Sequence, residues 1–390
     1  MKVLTTNTIL QQRIVYRENK TEGVLNYDAD NAYPQRMMIF IDSSGQATRC
    51  AKLLERFFIG GGFAQESFWK AKLNDRGLTG DKLLRKIAKD KSVFNGFALH
   101  VNWNANYKID SVNFVPFEHC RLSIPDDLNY SGKILLYDDW ARLKKKKIEK
   151  KFIQAIDIWN PDPNVIAEQV KAAGGWDEYK GQVYYPSEYL KSPFDSVIED
   201  IDSDSQAKIF KNKNIRNNFL ALYFGKYKGK FETDEEREDF VNAIRVHQGA
   251  ENAGNIILVE LDGQDDSFTL EKIDTANIEK IYQYTEESVR DNIRRVILAP
   301  QVLVGDFTAG KLGTSQEIQD AVYYYNAVTN DPRREIEESM TEIFSYWKDT
   351  SINPSGDYSI IPIQSYMIDG TGNPVTTSPN NPPPPNPQLP

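Results

Sequence analysis

A chain of 390 residues, 40% hydrophobic and 26% charged, with 20 Tyr and 19 Phe, has enough apolar material for a sizeable core and is not broadly disordered. Its formal net charge of −9 excludes a surface that grips nucleic acid all over, because neutralising phosphates requires a basic face. Two cysteines and three histidines, with no CxxC, HxxxH or HExxH spacing, exclude a disulfide framework and the familiar metal sites, so no metal and no cofactor is expected. No apolar run approaches the ~20 residues a membrane helix needs, and "MKVLTTNTILQQRIVYRENK" lacks a signal peptide's apolar core.

In chain order, residues 1–33 are polar and end near "NAYP", which suggests an extended arm. Ala47, Ala51, Leu54, Phe57 and Phe58 then share one helical face, and Gly60 to Gly62 close that helix. These glycines follow a helix instead of preceding one, so they are not a phosphate cradle. A second helix is predicted from Asp81 to about Val93, with Asn95-Gly96 as its exit. "FALHVNWN" and "IDSVNFVPF" read as one strand pair, and "KILLYDDW" and "FIQAIDIWN" as another that brackets Lys144 to Lys147. Four adjacent lysines read first as a solvated hairpin tip and second as a contact for phosphate or a partner. Residues 167–193 show no period that assigns an element.

Helical spacing resumes through Ile198, Ile201, Ala207 and Ile209, acidic at the start and basic at the end, as a helix dipole favours. Between Lys208 and Phe231 there are seven basic residues and no acidic one, a local reversal in an acidic chain. Within it, "LALYFGKYKGKF" reads as an aromatic strand pair turning at Gly225 or Gly229. Thr233 and Glu236 form a capping box that opens a helix with Phe240, Ala243, Ile244 and His247 on its apolar face. "IILVEL", a turn at Asp262-Gly263 and "FTLEKI" follow as two strands, then a long helix from about Ala276 to Val296.

The next stretch, "VLVGDFTAGKLGTSQ", nearly spells the nucleotide-binding loop G-x-x-x-x-G-K-[ST], but places Leu312 where the metal-binding hydroxyl belongs. Its upstream apolar run is short and follows Ala299-Pro300. A helix is predicted from about Thr314 with Ile318, Val322 and Tyr325 on one face, and another capped by Asp331 with Pro332 at N1. "YSIIPIQSYM" reads as a weak strand, and the tail "DGTGNPVTTSPNNPPPPNPQLP" as disordered or polyproline-like. No histidine cluster or G-x-S-x-G elbow is present, and the acidic pairs sit in turn-like contexts, so no catalytic residue is assigned.

The order of these pieces resembles the portal proteins of tailed bacteriophages. The likeness is strongest from about Ala207 to Trp347, where "NNFLALYFGKYKGKF", "DEEREDFVNAI" and "GAENAGNIILVELDG" are similar to the family's stem helix, clip, second stem helix and wing strand. "VRDNIRRVILAPQVLVGDFTAGKLGTSQEIQDAVYYYNAV" is similar to its late helix, polar loop and following helix, and "SSGQATRCAKLLERFFIGGGF" to its opening helix. The resemblance spans about 300 residues and is carried by order, not by any single motif.

It implies an α+β subunit with a mixed wing, two-helix stem, small clip hairpin, tunnel loop and short helical crown. On this pattern, the arm covers 1–33, the wing 34–202, a stem helix 203–217, the clip hairpin 218–232 and the second stem helix 233–250. Wing strands and a long helix cover 251–303, the tunnel loop 304–314, the crown helices 315–348 and the tail 349–390. A ring, usually of twelve subunits, is implied at one capsid vertex of the virion, assembled in the bacterial host cytoplasm. Double-stranded DNA passes through it during packaging and ejection. The terminase packaging motor, and later neck or tail adaptors, dock on the clip beside the major capsid protein, with no membrane involved.

The resemblance assigns the DNA-channel loop to Gly305, Thr308, Gly310, Lys311 and Gly313, with Lys311 meeting phosphate, and the partner-binding clip to Tyr223, Phe224, Lys226, Tyr227, Lys228 and Lys230. It implies no enzyme activity. A P-loop-like nucleotide-binding enzyme and another ring-forming neck or adaptor protein are the alternatives.

Overall fold

In a computed structural model, the structure describes residues 17–20, 23–124, 132–140, 152–216, 223–228, 256–261, 267–272, 278–305, 315–364, 366–368 and 374–376, with Thr233, Glu235, Glu238 and Asp239 besides. The chain divides into two compact units, one of residues 1–42, 47–198 and 294–390, the other of residues 43–46 and 199–293.

The first unit is built on a six-stranded sheet. Its strands are β3 (Ala98–Trp103), β4 (Ile109–Val115), β5 (Cys120–Leu122), β6 (Lys133–Leu136), β7 (Gln154–Ile158) and β8 (Gln182–Tyr184), in the order β4-β3-β8-β7-β6-β5. Both strand pairs expected from sequence form, β3 antiparallel to β4 and β6 antiparallel to β7. What the sequence left unassigned at 167–193 supplies the middle of the sheet. β7 and β8 are parallel and are joined through the helix Pro163–Ala173, because parallel neighbours need a crossover. That helix has Asp162 as its cap, accepting from the Asn164 amide, and a left-handed Gly174 at its end.

The N-terminal segment is not an extended arm from Arg17 onward. Strands β1 (Arg17–Asn19) and β2 (Val24–Asn26) pair as a hairpin, and Val24 and Tyr27 are buried. Residues 1–16 lie outside the described residues. Helix α1 (Tyr33–Ser43) and helix α2 (Gly45–Ile59) follow, then α3 (Glu66–Lys70) and α4 (Gly80–Phe94). Helix α4 is capped by Thr79 and ends on Asn95 at φ +62°, as Asn95-Gly96 suggests. The glycines after α2 do more than stop it. A Cβ on Gly60 would lie 2.2 Å from the Ile361 carbonyl oxygen, and the Gly61 amide donates to that oxygen at 2.6 Å, so residues 60–62 form a slot for the late backbone at 359–361.

One side chain ties these parts together. Arg121 on β5 is fully buried, and its guanidinium donates to the Asn31 side chain (2.6 Å) and carbonyl (2.7 Å), to the Glu118 and Cys120 carbonyls (3.0 and 2.7 Å) and to Gln35 (3.1 Å). It lies 5.3 Å from the Trp140 ring centre and 5.7 Å from that of Tyr27, which stacks on Tyr189. Its acceptors are neutral. Burial lowers its pKa from the ordinary arginine value, opposed by the nearby Tyr189, Tyr185 and Cys120.

The helices expected as a separate crown, α9 (Ser315–Val328) and α10 (Asn330–Phe344) in the numbering used below, belong to this same unit. Tyr325 meets Phe57 edge-on, Phe344 meets Phe68, and Phe68 also meets Phe63 and Tyr358. The cap of α10 is Thr329, not Asp331, because the Thr329 amide and hydroxyl both bond back to the Tyr325 carbonyl and α10 starts almost where α9 stops. Asp331 sits instead in its first turn. At the end of the expected weak strand, Tyr366–Ile368 pairs antiparallel with Pro374–Thr376, so that part of the tail expected to be disordered is a strand.

In the second unit, α6 (Ile198–Arg216) leads away from the first unit in sequence, and α7 (Ile278–Val296) leads back. Asn292 on α7 donates to Asp200 on α6 at 3.1 Å, joining the two helices at that level. Asp204 accepts from Ser44 (2.6 Å) and Lys208 (2.5 Å), and these bonds outweigh burial to hold its carboxyl below the usual range.

Replacing Arg121 by alanine removes five hydrogen bonds and strands their acceptors, so Arg121→Ala should lower unfolding free energy by about 3 kcal/mol or more. Urea denaturation measures this, and a loss below about 1 kcal/mol would contradict the role given to it. Asp90 gives a pH test. Its carboxyl accepts from the Phe117 amide at 2.9 Å, yet burial raises its pKa from 3.8 to about 8. The folded-state value lies above the unfolded one, so the contribution is full below pH 3.8 and lost as pH rises through about 8. The urea midpoint of the wild type should therefore fall from pH 4 to pH 8 more steeply than that of Asp90→Asn, and parallel profiles would refute this.

Candidate functional site

The loop singled out in the sequence is approached through a series of tight backbone features. Just beyond α7, Leu298 stands at φ +54°, with the Ala299 amide donating to the Arg294 carbonyl and the Arg294 guanidinium returning to the Ala299 carbonyl at 3.2 Å. Pro300, at φ −62° and ψ 142°, caps the single-turn helix α8 (Gln301–Val304), and Val304 is buried. Gly305 closes that turn in the left-handed region (φ +79°, ψ 18°), its amide donating to the Gln301 carbonyl. No atom lies within 4 Å of where its Cβ would be, so the backbone angle, not crowding, calls for glycine here.

This geometry decides against the nucleotide-loop alternative. Such a loop needs a strand running into its first glycine, whereas "QVLV" is helical and Gly305 is its cap. Pro300 fixes the start of the turn, and the run after it is too short to pair as a strand. Thr308, Gly310, Lys311 and Gly313 lie outside the described residues, between Gly305 and α9. Helices α8 and α9 pack together, so the nine residues from 306 to 314 start and end close to each other.

At the second predicted site the expected turn at Gly225 is corrected, and Gly229, the other expected turn, lies outside the described residues. Tyr223, Phe224, Gly225, Lys226, Tyr227 and Lys228 do not turn at Gly225; they form one strand, β9 (Tyr223–Lys228). It is the centre of a three-stranded sheet, parallel to β10 (Ile256–Leu261) and antiparallel to β11 (Ser267–Lys272). "IILVEL" and "FTLEKI", expected as a pair in the wing, therefore flank β9 instead of each other. The reason is topological: a parallel β9–β10 pair requires a long crossover, and residues 229–255 supply it. Within that stretch, Glu235, Glu238 and Asp239 are helical, and Lys230 lies outside the described residues. By register, positions 223, 225 and 227 share one face with 256, 258, 260, 268, 270 and 272, and positions 224, 226 and 228 share the other. The two predicted clip lysines Lys226 and Lys228 thus occupy one face, opposite Tyr223 and Tyr227.

Among the described residues no group of His, Cys, Asp and Glu could hold a metal ion. Cys50 and Cys120 are buried, and burial pushes the Cys120 thiol up. No helix of the described residues is long and apolar enough to cross a membrane.

One feature escaped the sequence reading: a cleft of about 370 Å³ in the first unit. Its floor includes Phe97, Tyr184, Pro186 and Leu190, and its rim carries Glu335, Glu338 and Glu342 of α10. Lys91, 2% exposed, reaches Glu335 at 2.5 Å; Tyr184 donates to Ser339 at 3.0 Å; Trp159 donates to Glu342 at 2.6 Å. Burial raises the Tyr184 pKa and, less strongly, so do Glu342, Glu335 and Glu338, against the Ser339 bond. The i, i+3, i+7 spacing of the three acids on α10 was the available signal.

No protein-family model matches the chain, and no curated protein sequence matches it. Solved structures do. A structure described as the neck of an empty gene transfer agent particle, with C6 symmetry, superposes with a TM-score of 0.50 at 12% identity, covering 90% of this chain and 86% of that one. The neck of the native particle, with C12 symmetry, matches at 0.45 and 12%, covering 81% and 82%. An HK97-family phage portal protein from Corynebacterium diphtheriae matches at 0.44 and 10%, covering 80% and 92%. The chain thus shares a mixed helix-and-sheet fold with the neck structure of the empty particle.

Because Gly305 holds φ +79° in open space, Gly305→Ala should cost about 1 kcal/mol and Gly305→Asn less, by thermal denaturation. An alanine variant as stable as wild type would contradict the left-handed cap.

Proposed function

We propose that this chain is the portal-type subunit of a tailed phage or related particle, forming a ring through which double-stranded DNA passes. The observation that carries this is the fold shared with a particle neck component over 90% of the chain. A closed ring of identical subunits is a heterologous assembly, in which every copy presents two different complementary faces. Twelve subunits, a position at the portal vertex of the virion, and assembly in the host cytoplasm complete the reading.

The acidic balance suits a channel that must not hold its cargo. A net charge of −9 per subunit repels a polyanion, so DNA slides past and is touched only where cations are concentrated. Lys311, in the loop anchored by Gly305 and α9, supplies such a point. Repeated around a ring it forms a cationic collar whose phosphate contacts are sequence-independent and weakened by salt. Thr308, Gly310 and Gly313 serve the loop's shape. The sheet carrying Tyr223, Phe224, Lys226, Tyr227 and Lys228, with Lys230 beyond it, docks the terminase motor and then the neck or tail adaptors, lysines facing acidic partner surfaces. The protein performs no catalysis of its own and needs no cofactor.

Lys311→Ala should assemble as the wild type does, yet package DNA less efficiently or retain it less well in particles. Packaging yield and DNA retention against salt measure this; a variant that fails to oligomerise would show that the loop is placed wrongly.

A further inference from the structure

The cleft described above has an apolar floor and an acidic rim. Among the described residues the Glu342 carboxylate accepts from the neutral Trp159 indole and has no cationic partner, and Glu338 pairs at 3.4 Å with Arg334, both ends well exposed. Lys91 is committed to Glu335. Among the described residues the rim thus keeps unneutralised negative charge beside an aromatic surface. Such a rim favours a cationic segment whose aliphatic stems cover the floor while its ammonium groups meet the carboxylates.

The chain contains one dense segment of that kind. Residues 142–151, "RLKKKKIEKK", hold seven basic residues and one acid, and they lie outside the described residues. They connect β6 to β7, entering at Gln154, the first residue of β7. The cleft lies at the other end of that strand, because Ile158 is level with Val183 and the floor residues Tyr184 to Pro186 follow. Upstream, Trp140 is fully buried, its indole bonded to the His119 carbonyl at 2.7 Å, which fixes the start of the connection on the β5 side of the sheet. The described strand end that this segment enters, at Gln154, and the acidic cleft are therefore at opposite ends of β7. Head-to-tail association is what pairs two opposite ends of one body with each other in successive copies.

We propose that the cleft lined by Phe97, Tyr184, Leu190, Glu338 and Glu342 receives the Lys144–Lys147 segment of a second copy of this chain. This rests on the ring reading above and names one of its two complementary faces. The lysines then contribute to assembly instead of touching DNA.

Charge reversal tests it in the full-length protein. One variant carries K144E, K145E, K146E and K147E; a second carries E338K and E342K, leaving the Glu335–Lys91 pair intact; a third carries all six. Thermal denaturation checks that each folds. By sedimentation velocity, the first two should each raise the protein concentration for half-assembly by about tenfold or more, with the wild-type value rising in salt, and the third should recover most of the loss. Carbodiimide cross-linking of mixed isotope-labelled and unlabelled wild type should join the Lys144–Lys147 peptide to the Glu338–Glu342 peptide between copies. Half-assembly unchanged in either reversed variant overturns the proposal, as does a lysine variant that loses only duplex DNA binding, or cross-links confined within copies. If the wild type itself never assembles, the ring reading falls with it; if the wild type assembles and the reversed variants do so equally, only this contact falls.

Discussion

The buried guanidinium of Arg121 is the constraint on which the first unit depends. A charge removed from water is costly unless every donor is satisfied, and here satisfaction comes from Asn31, Gln35, Glu118 and Cys120, drawn from the segment before α1, from α1 itself and from the turn into β5. The sheet therefore cannot close without the N-terminal residues in place, and they cannot settle without the sheet. The aromatic walls of Tyr27 and Trp140 fix the plane of the group. Acceptance from neutral oxygens keeps the arrangement independent of any carboxylate's protonation.

From that base the chain positions its functional parts by backbone devices. The slot at Gly60 to Gly62 seats residues 359–361, which brings the late chain against α2 and α3 and completes the aromatic cluster around Phe68. The same unit carries α8, its cap Gly305 and α9. In the other unit, the aromatic, lysine-bearing strand β9 is central in its sheet and has no free edge there, which removes an edge that would otherwise invite uncontrolled strand addition.

The sequence was most legible where periodicity and punctuation coincide. Leu83, Leu84, Ile87 and Ala88 with Asn95-Gly96 specify α4, and alternation in "FALHVNWN" and "IDSVNFVPF" specifies β3 and β4. It was misleading where strand order is non-local. A glycine inside "YFGKYK" looks like a turn, yet nothing in residues 218–232 reveals that their partners are 256–261 and 267–272. Residues 167–193 were opaque because a three-residue strand, Gln182–Tyr184, is too short to alternate, although Asp162-Pro163 was a readable helix start. The Arg121 network and the acidic cleft were invisible for a related reason: each gathers residues tens to hundreds of positions apart. Of the candidate sites, the stretch around Lys311 drew attention by its composition, and its nucleotide-loop reading fell once Gly305 proved to cap a helix.

The central claim is that this chain builds a ring with an axial hole, and negative-stain electron microscopy of the purified full-length protein tests it most directly. The account predicts turbine-like rings of uniform rotational symmetry with stain in a central channel. Compact monomers or dimers at every concentration and salt, with no closed rings, would contradict it.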